Sequence, residues 1–246
     1  MIIDSHVHLK HGNAEGTEYS PEAIVEAMDG ARVDKSVVCA INTTTKCSIE
    51  MAQAAVDKFS DRLIPYANVE PSYGKTALDQ IGKAVSRLGF RGMKIHFGYG
   101  VPEQETITPF LELAAAEDVP CLIDCVGRNE IIQQWAEAFP KTKLIVAHLG
   151  KYLCRNESLV DRFIALAAAH KNVLLDVNGV VLPRKIKEAV KRAGVCQVFF
   201  GTDGPHADPD LVGFVHTALD KIRSLDLPSD DEAVVLGRGI AKLLKL

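Results

Sequence analysis

The stretch Met1-Ile-Ile-Asp-Ser-His-Val-His-Leu9 begins the chain with an apolar run that ends in two histidines. A short run of this kind predicts a buried β-strand, and side chains alternate between the two faces of a strand. His6 and His8 would therefore point to the same side, about 7 Å apart along the strand. Two imidazoles on one face can bind a divalent cation when other strands bring further ligands. Two exposed polar residues at the end of a strand are the alternative that this spacing leaves open.

Seven further short apolar runs follow, and helix-like segments lie between them. The predicted strands cover residues 1–9, 36–41, 63–69, 92–97, 120–125, 143–148, 172–177 and 197–202. The predicted helices cover residues 20–29, 47–59, 76–88, 108–117, 130–139, 159–170, 183–193, 210–224 and 231–246. This alternation over 246 residues favours an α/β protein with one domain, a (β/α)8 TIM barrel spanning residues 1–246. An open doubly wound sheet is the alternative, and it is less favoured because no glycine-rich turn follows the first strand.

The composition is that of an ordinary globular protein, with 47% apolar and 24% charged residues. The net charge of −4 and the absence of a basic run give no indication of a nucleic-acid or membrane partner. The six cysteines form no Cys-x-x-Cys pair, and Cys39, Cys121 and Cys196 lie in or beside apolar runs, where we expect them to be buried. Together with the lack of a signal-peptide pattern, these features predict a cytoplasmic location.

Polar residues collect at the ends of the predicted strands, where barrel enzymes place their chemistry. They are His6, His8, Lys94, His96, Asp124, His148, Asp176, Asn178 and Asp203. Each one alone fits a helix cap or a solvent contact, but several apolar strands ending in metal-ligand residue types indicate a site. Strands eight and one become neighbours when a barrel closes, so His6, His8 and Asp203 would meet at one point.

Five segments carry a resemblance to a known family. They are Ile3-Asp-Ser-His-Val-His-Leu9, Phe90-Arg-Gly-Met-Lys-Ile-His96, Ala147-His-Leu-Gly150, Gly201-Thr-Asp-Gly-Pro-His206 and Val235-Leu-Gly-Arg-Gly-Ile-Ala-Lys-Leu-Leu244. In this order the chain resembles the amidohydrolase superfamily, specifically its amidohydrolase-2 branch. That branch includes metal-dependent hydrolases and decarboxylases of the aminocarboxymuconate-semialdehyde type.

The resemblance implies that His6, His8 and Asp203 bind one divalent metal ion, most often zinc, with manganese as the alternative. It also implies that His148 is a ligand or a catalytic group. The chain departs from the branch at Asp124, where a histidine is usual. Asp124 could bind zinc through oxygen at about 2.0–2.2 Å, or it could mark a weakened or lost site. A second departure, Gly239-Ile240 in place of the usual asparagine, concerns packing.

Three further residues are candidate substrate contacts. Lys94 could pair with a substrate carboxylate, balance the charge of Asp124, or bridge two metals as a carbamylated lysine does in other amidohydrolases. His96 could touch substrate or support the ligands, and His206 could touch substrate or cap its own loop. Asp4 and Asp176 are expected to hold loops or orient ligand imidazoles.

The reaction predicted first is hydrolysis of a small ester, lactone or amide by a metal-activated water, with Asp203 and His148 as catalytic residues. The substrate is expected to be a small molecule with a carboxylate that meets Lys94, Arg91 or Arg128. A decarboxylase on the same site and a barrel that only binds a small ligand are the alternatives. Specificity is expected to lie in loops 11–19, 97–106 and 149–158, and a homodimer is the expected assembly.

Overall fold

The computed structural model describes residues 1–9, 19–204, 206 and 210–246. Eight strands pair in parallel in chain order. They are β1 Ile3–His8, β2 Lys35–Cys39, β3 Leu63–Asn68, β4 Gly92–His96, β5 Cys121–Asp124, β6 Leu144–Val146, β7 Val173–Asp176 and β8 Val198–Phe199. β1 meets the chain after β8, because Ser5 N–H donates to Phe200 O at 3.0 Å and Val7 pairs with Gly204. The predicted (β/α)8 barrel is confirmed, and the open doubly wound sheet is excluded.

Helices follow the strands at nearly every position where the sequence predicts them. They are α1 Pro21–Ala31, α2 Thr45–Lys58, α3 Gly74–Leu88, α4 Gln104–Ala116, α5 Asn129–Ala138, α6 Glu157–Ala169, α7 Pro183–Ala193, α8 Leu211–Arg223, α9 Ser229–Ala233 and α10 Gly239–Leu244. Ser20 caps α1 by accepting a hydrogen bond from Ala23 N–H, as its position before Pro21 predicts. Gly89 ends α3 with a φ of 77°, the left-handed conformation that glycine adopts without strain.

Both faces of the strands are buried, as a parallel barrel requires. Val37 and Cys39 belong to a cluster of alternate strand residues that fills the barrel interior, whereas Val38 between them packs in the cluster that includes the surrounding helices. Tyr66 also lies in the interior cluster and is fully buried. A Cβ atom at Gly92 would lie 2.4 Å from the ring of Tyr66, so only glycine fits beside this tyrosine.

Three of the differences from the predicted elements have a clear structural basis or bear on the site. α4 begins at Gln104 rather than at Thr108, so Pro109 lies inside the helix and leaves one carbonyl of the first turns without its usual donor. β6 ends at Val146, because His148 and Leu149 adopt left-handed conformations with φ of 61° and 49°. The closing helix is interrupted by a π-helical turn at Val234–Arg238.

Two other predictions meet the structure differently. Cys196 is exposed rather than buried, whereas Cys39 and Cys121 are buried as predicted. Most of the predicted loop 11–19 lies outside the described residues, which resume at residue 19.

Candidate metal centre and active site

His6, His8 and Asp203 meet at the carboxyl end of the barrel. His6 Nε2 lies 3.2 Å from His8 Nε2 and 3.2 Å from Asp203 Oδ1, and His8 Nε2 lies 3.0 Å from the same oxygen. Both histidines are buried, and the side chain of Asp203 is 17% exposed. The structure therefore brings together the three residues that the sequence places at the junction of strands one and eight.

The backbone explains this convergence. His6 and His8 are two residues apart on β1 and share one face. Asp203 follows β8 in a left-handed conformation with a φ of 63°, and its N–H donates to His6 O at 2.8 Å. Aspartate tolerates this conformation better than most residues. The turn after β8 thus returns the carboxylate to the face of β1 that carries both imidazoles.

A buried carboxylate orients the imidazole of His6. Asp176 Oδ2 lies 2.8 Å from His6 Nδ1, and both side chains have no exposed surface. A proton on Nδ1 shared with Asp176 leaves the lone pair of Nε2 free for another partner. Lys94 Nζ lies 2.7 Å from that Nε2 atom.

The electrostatics keep His6 neutral. Burial, followed by the charge of Lys94, lowers the pKa of His6 well below its usual value. Burial alone would raise the pKa of Asp203, but its electrostatic interactions with the imidazoles of His6, His8 and His148 and the hydrogen bond from His8 lower it well below its usual value. A neutral imidazole and an ionised carboxylate are the forms that bind a metal ion.

Asp124, His96 and His148 form a second group beside the first. Asp124 Oδ2 lies 3.4 Å from His96 Nε2 and 3.4 Å from His148 Nε2. Among the described residues, the donor atoms that lie within 4.8 Å of one another are those of His6, His8 and Asp203, and Asp124 is outside that set. A role for Asp124 as a metal ligand therefore remains a prediction, and its contacts are with two histidines.

Asp124 and His148 shift each other toward their charged forms. Burial by itself raises the pKa of Asp124, but the hydrogen bond and charge of His148, with Lys94 and His96, lower it below its usual value. Burial likewise lowers the pKa of His148, but the hydrogen bond to Asp124 and the charge of Asp203 raise it overall. Burial, with the charge of Lys94, lowers the pKa of His96 to about 4. His148 is thus the histidine of this group that favours the imidazolium form.

The ring of His148 lies between the two groups. Its centroid is 5.6 Å from that of His6, and the ring of Tyr152 meets it edge-on at 5.1 Å. Its Nδ1 atom is buried and has no hydrogen-bond partner among the described residues. The left-handed turn after β6 places this imidazole beside His6, in agreement with a catalytic or ligand role that stays a prediction.

The predicted substrate contacts are distributed unevenly. Lys94 is 1% exposed, and its ammonium is directed at His6. The ring of His206 packs edge-on against that of Phe214, with ring centroids 4.7 Å apart. Arg91 precedes β4 and so lies at the amino end of the barrel, about 16 Å of strand away from His96. Arg128 follows β5 at the carboxyl end and is exposed. Arg91 is therefore on the opposite side of the barrel from the site, and of the two predicted arginines Arg128 has the better position.

Sequence reasoning missed two supporting residues. Thr202 donates from its N–H and its hydroxyl to the two carboxylate oxygens of Asp4, at 3.0 Å and 2.6 Å, and Asp4 Oδ1 also accepts from His6 N–H at 3.1 Å. Burial raises the pKa of Asp4 to about 7. The second missed residue is Tyr152, which covers His148. The position of Thr202 next to Asp203 was an available signal, whereas no pattern marks Tyr152.

The donor set fits a divalent metal ion. Ligand atoms of a tetrahedral zinc ion with bonds of about 2.0–2.1 Å are about 3.3–3.4 Å apart, and the three separations here are 3.0–3.2 Å. Adjacent ligands of an octahedral ion with bonds of similar length are about 3.0 Å apart, so these separations do not select one metal. Asp176 supplies the outer hydrogen bond that ligating histidines usually have. Lys94 must release His6 Nε2 before that atom can bind an ion.

Comparison with known proteins identifies the relatives of the chain. The family model described as Amidohydrolase matches residues 3–246.

Among the described residues, no helix combines the length and hydrophobicity that crossing a membrane requires. No curated protein matches the chain.

Several solved structures share the fold over its whole length. A probable 2-pyrone-4,6-dicarboxylic acid hydrolase from Acinetobacter baumannii is 15% identical, with a TM-score of 0.76 over 100% of this chain and 99% of that one. A 5-carboxyvanillate decarboxylase from Novosphingobium aromaticivorans, solved with manganese, is 13% identical, with a TM-score of 0.78 over 100% and 96%. A 4-oxalomesaconate hydratase from Rhodopseudomonas palustris is 16% identical, with a TM-score of 0.71 over 100% and 96%. At these identities the likeness establishes the fold.

Proposed function

We propose that this chain, which belongs to the amidohydrolase family, is a metal-dependent hydrolase of a small ester, lactone or amide. The observation that carries this proposal is the convergence of His6 Nε2, His8 Nε2 and Asp203 Oδ1 within 3.0–3.2 Å of one another. The three side chains are almost completely shielded from solvent. Electrostatic interactions are stronger in such a region of low dielectric constant.

His6, His8 and Asp203 would hold a divalent metal ion, which would act as a Lewis acid and make a water molecule more acidic. We propose zinc as this ion, with manganese as the alternative, because manganese is present in the decarboxylase relative. Asp124 is a candidate for a further ligand, and its distance from the three-residue group makes it the weaker one.

The side chains of the chain perform the proton transfers. Asp203 accepts a proton from the attacking water as the water oxygen bonds to the substrate carbonyl carbon. Asp203 then gives that proton to the leaving oxygen or nitrogen as the bond between this atom and the carbonyl carbon breaks. The imidazolium of His148, favoured by Asp124, donates a hydrogen bond to the negative charge that develops on the carbonyl oxygen. Asp176 keeps the Nε2 lone pair of His6 directed at the centre.

We propose a substrate that carries a carboxylate. The hydrolase and decarboxylase relatives are named for carboxylated compounds, a pyrone dicarboxylic acid and a carboxyvanillate. Arg128 supplies an exposed positive charge at the carboxyl end of the barrel. His96 and His206 are proposed as further substrate contacts. Lys94 would reach the substrate only by leaving His6.

A decarboxylase on the same site is the second candidate, favoured by the 5-carboxyvanillate decarboxylase relative. In that reaction the bond between the ring and its carboxylate breaks, carbon dioxide leaves, and the carbon takes a proton that Asp203 or His148 delivers. A barrel that only binds a small ligand is the third. The location is proposed to be cytoplasmic and the assembly a homodimer.

The first experiment is metal analysis of purified protein by inductively coupled plasma spectrometry. We expect about one divalent ion per chain, lost in a His6→Ala/His8→Ala variant and kept in His216→Ala, which changes an exposed histidine on α8. Absence of metal after incubation with zinc or manganese would favour the ligand-binding barrel.

The second experiment screens lactones, esters, amides and carboxylated aromatic acids, with carbon dioxide release measured in parallel. Hydrolysis without carbon dioxide supports the hydrolase, and carbon dioxide release supports the decarboxylase. We expect Asp203→Ala to abolish turnover of any active compound. Activity within tenfold of the wild type would refute the role of Asp203.

A further inference from the structure

A cavity lies beside the candidate metal centre, between the ends of β7 and β8 and helix α8. Its volume is about 130 Å³. Its walls are mostly apolar and include Val177, Phe200, Phe214 and Ile222. Among the described residues that line it, Lys221 is the only charged one. The cavity therefore combines an apolar interior with a single positive charge.

The position of Lys221 on α8 directs its side chain along the cavity wall. Phe214, Thr217 and Lys221 are spaced three and four residues apart, so they lie on one face of the helix. Long helical side chains incline toward the helix amino terminus, which here is the end near the metal centre. No carboxylate of the described residues forms a salt bridge with this ammonium, and burial lowers its pKa. A half-buried ammonium with no ionic partner among the described residues is unfavourable, and an entering anion would relieve that cost.

The opposite wall carries a buried polar group that also contacts the metal centre. Asn178 is 2% exposed, and its Oδ1 atom has no hydrogen-bond partner among the described residues. Its Nδ2 atom lies 2.7 Å from His6 Nδ1. Tyr152 lines the cavity and also packs against His148. An occupant would therefore touch two residues that contact the histidines of the centre.

We propose that this cavity binds a carboxylate carried on a small apolar body, with Lys221 as the ionic partner of the carboxylate. An apolar cavity of about 150 Å³ is large enough to bind benzene, so the volume here suits a ring or short chain of about six carbons. A phosphate dianion fits less well, because one ammonium and apolar walls do not replace its hydration. The proposal does not depend on the reaction, since it concerns binding alone.

The test is isothermal titration of the full chain with benzoate, with benzamide as an uncharged ligand of the same shape. We expect benzoate to bind and benzamide to bind at least about tenfold more weakly. Lys221→Met keeps the length of the side chain and removes the charge, and it should weaken benzoate binding at least about tenfold. Lys191→Met removes the same charge from the exposed surface of α7 and should leave the affinity unchanged.

Equal affinities of the wild type for benzoate and benzamide would overturn the proposal even if Lys221→Met failed to fold. Unchanged benzoate affinity in a folded Lys221→Met variant would also overturn it. In its natural ligand, the carboxylate belongs either to a larger molecule that reaches the metal centre or to a separate small acid. Repeating the titration with zinc distinguishes these two sources. An affinity that changes threefold or more with zinc indicates part of a ligand that reaches the metal centre. An affinity that is unchanged indicates a separate small acid, and both results leave the Lys221 site in place.

Discussion

Replacing Asp176 with asparagine should weaken metal binding without removing any of the three proposed ligands. Asp176 Oδ2 and His6 Nδ1 are 2.8 Å apart, and neither side chain is exposed. An asparagine at this position either presents an NH₂ group to Nδ1 or turns it toward the backbone N–H of Asn178, which now donates to Asp176 Oδ1 at 3.1 Å. The first arrangement favours a proton on His6 Nε2, and that proton blocks the metal. The second leaves two donors facing each other.

The size of the effect follows from the loss of one outer hydrogen bond. Such losses weaken metal affinity about 10–100-fold, which is about 1.4–2.7 kcal/mol. At a metal concentration of 100 times the wild-type dissociation constant, the ion stabilises the folded protein by about 2.7 kcal/mol. The same concentration would stabilise the variant by about 1.4 kcal/mol after a tenfold loss and about 0.4 kcal/mol after a hundredfold loss.

The assay is isothermal titration with zinc, supported by urea denaturation with and without the ion. Measurements at pH 8 keep the carboxylate of Asp176 mainly ionised, because burial raises its pKa to about 7. Asp57→Asn removes a carboxylate from the exposed surface of α2 and should bind zinc like the wild type. A folded Asp176→Asn variant whose zinc affinity lies within threefold of the wild type would refute the orienting role.

Four further predictions concern three positions, Asp124, Gly150 and Lys221. Asp124→Asn should lower the pKa of His148, because the carboxylate of Asp124 raises that pKa. NMR of the His148 imidazole in metal-free protein measures the change. The wild-type pair should therefore stabilise the fold fully between pH 3.8 and pH 6.5, the ordinary pKa values of the two groups. It should lose that contribution as the pH rises through the raised pKa of His148 or falls toward the lowered pKa of Asp124. Gly150→Ala should destabilise the protein by about 3 kcal/mol or more in urea denaturation, because the new Cβ would lie 2.0 Å from the Phe163 ring at a φ of +107°. Lys221→Met should raise the free energy of unfolding by about 1 kcal/mol without ligand, since it removes an ammonium that has no ionic partner in the described part of the chain.

The predictions for Gly150 and Lys221 have matched control variants. Gly89→Ala has the same positive φ but no atom within 4 Å of the new Cβ, so it should cost only about 1 kcal/mol. Equal losses at both glycines would contradict the clash with Phe163. Lys191→Met should leave stability unchanged, and a stability loss in Lys221→Met would show that its ammonium is already satisfied. A pKa of His148 that is the same in Asp124→Asn would contradict the pairing.

The fold and the three-residue group were predictable because both follow from periodicity. Alternation on β1 places His6 and His8 on one face, and closure of eight apolar strands brings the chain after β8 beside them. Neither inference requires knowledge of side-chain contacts. The ends of two helices were predictable from local capping, since Ser20 precedes the first residue of α1 and Gly89 follows the last residue of α3.

Contacts that depend on turn geometry and packing were not predictable. No glycine or asparagine at position 148 indicates the left-handed backbone of His148, so the end of β6 was predicted two residues too late. The distance of Asp124 from the metal ligands depends on how far β5 extends relative to β1, and chain order does not set that distance. Lys94 was expected to face substrate or Asp124, but its length allows it to reach His6 across the barrel interior.

Closure of the barrel also gives the proposed ion a mechanical consequence. His8 and Asp203 are 195 residues apart in the chain, so an ion shared between them would tie the two ends of the ring together. A covalent crosslink that closes a loop of this length stabilises a protein by about 5 kcal/mol in the chain-entropy model, and that figure is an upper bound for a reversible bond. Pulling the chain apart at Leu9 and at Gly204, next to the two ligands, would load this junction directly. The force needed to open the molecule should then rise with metal concentration, and loss of the ion should accompany the first rupture.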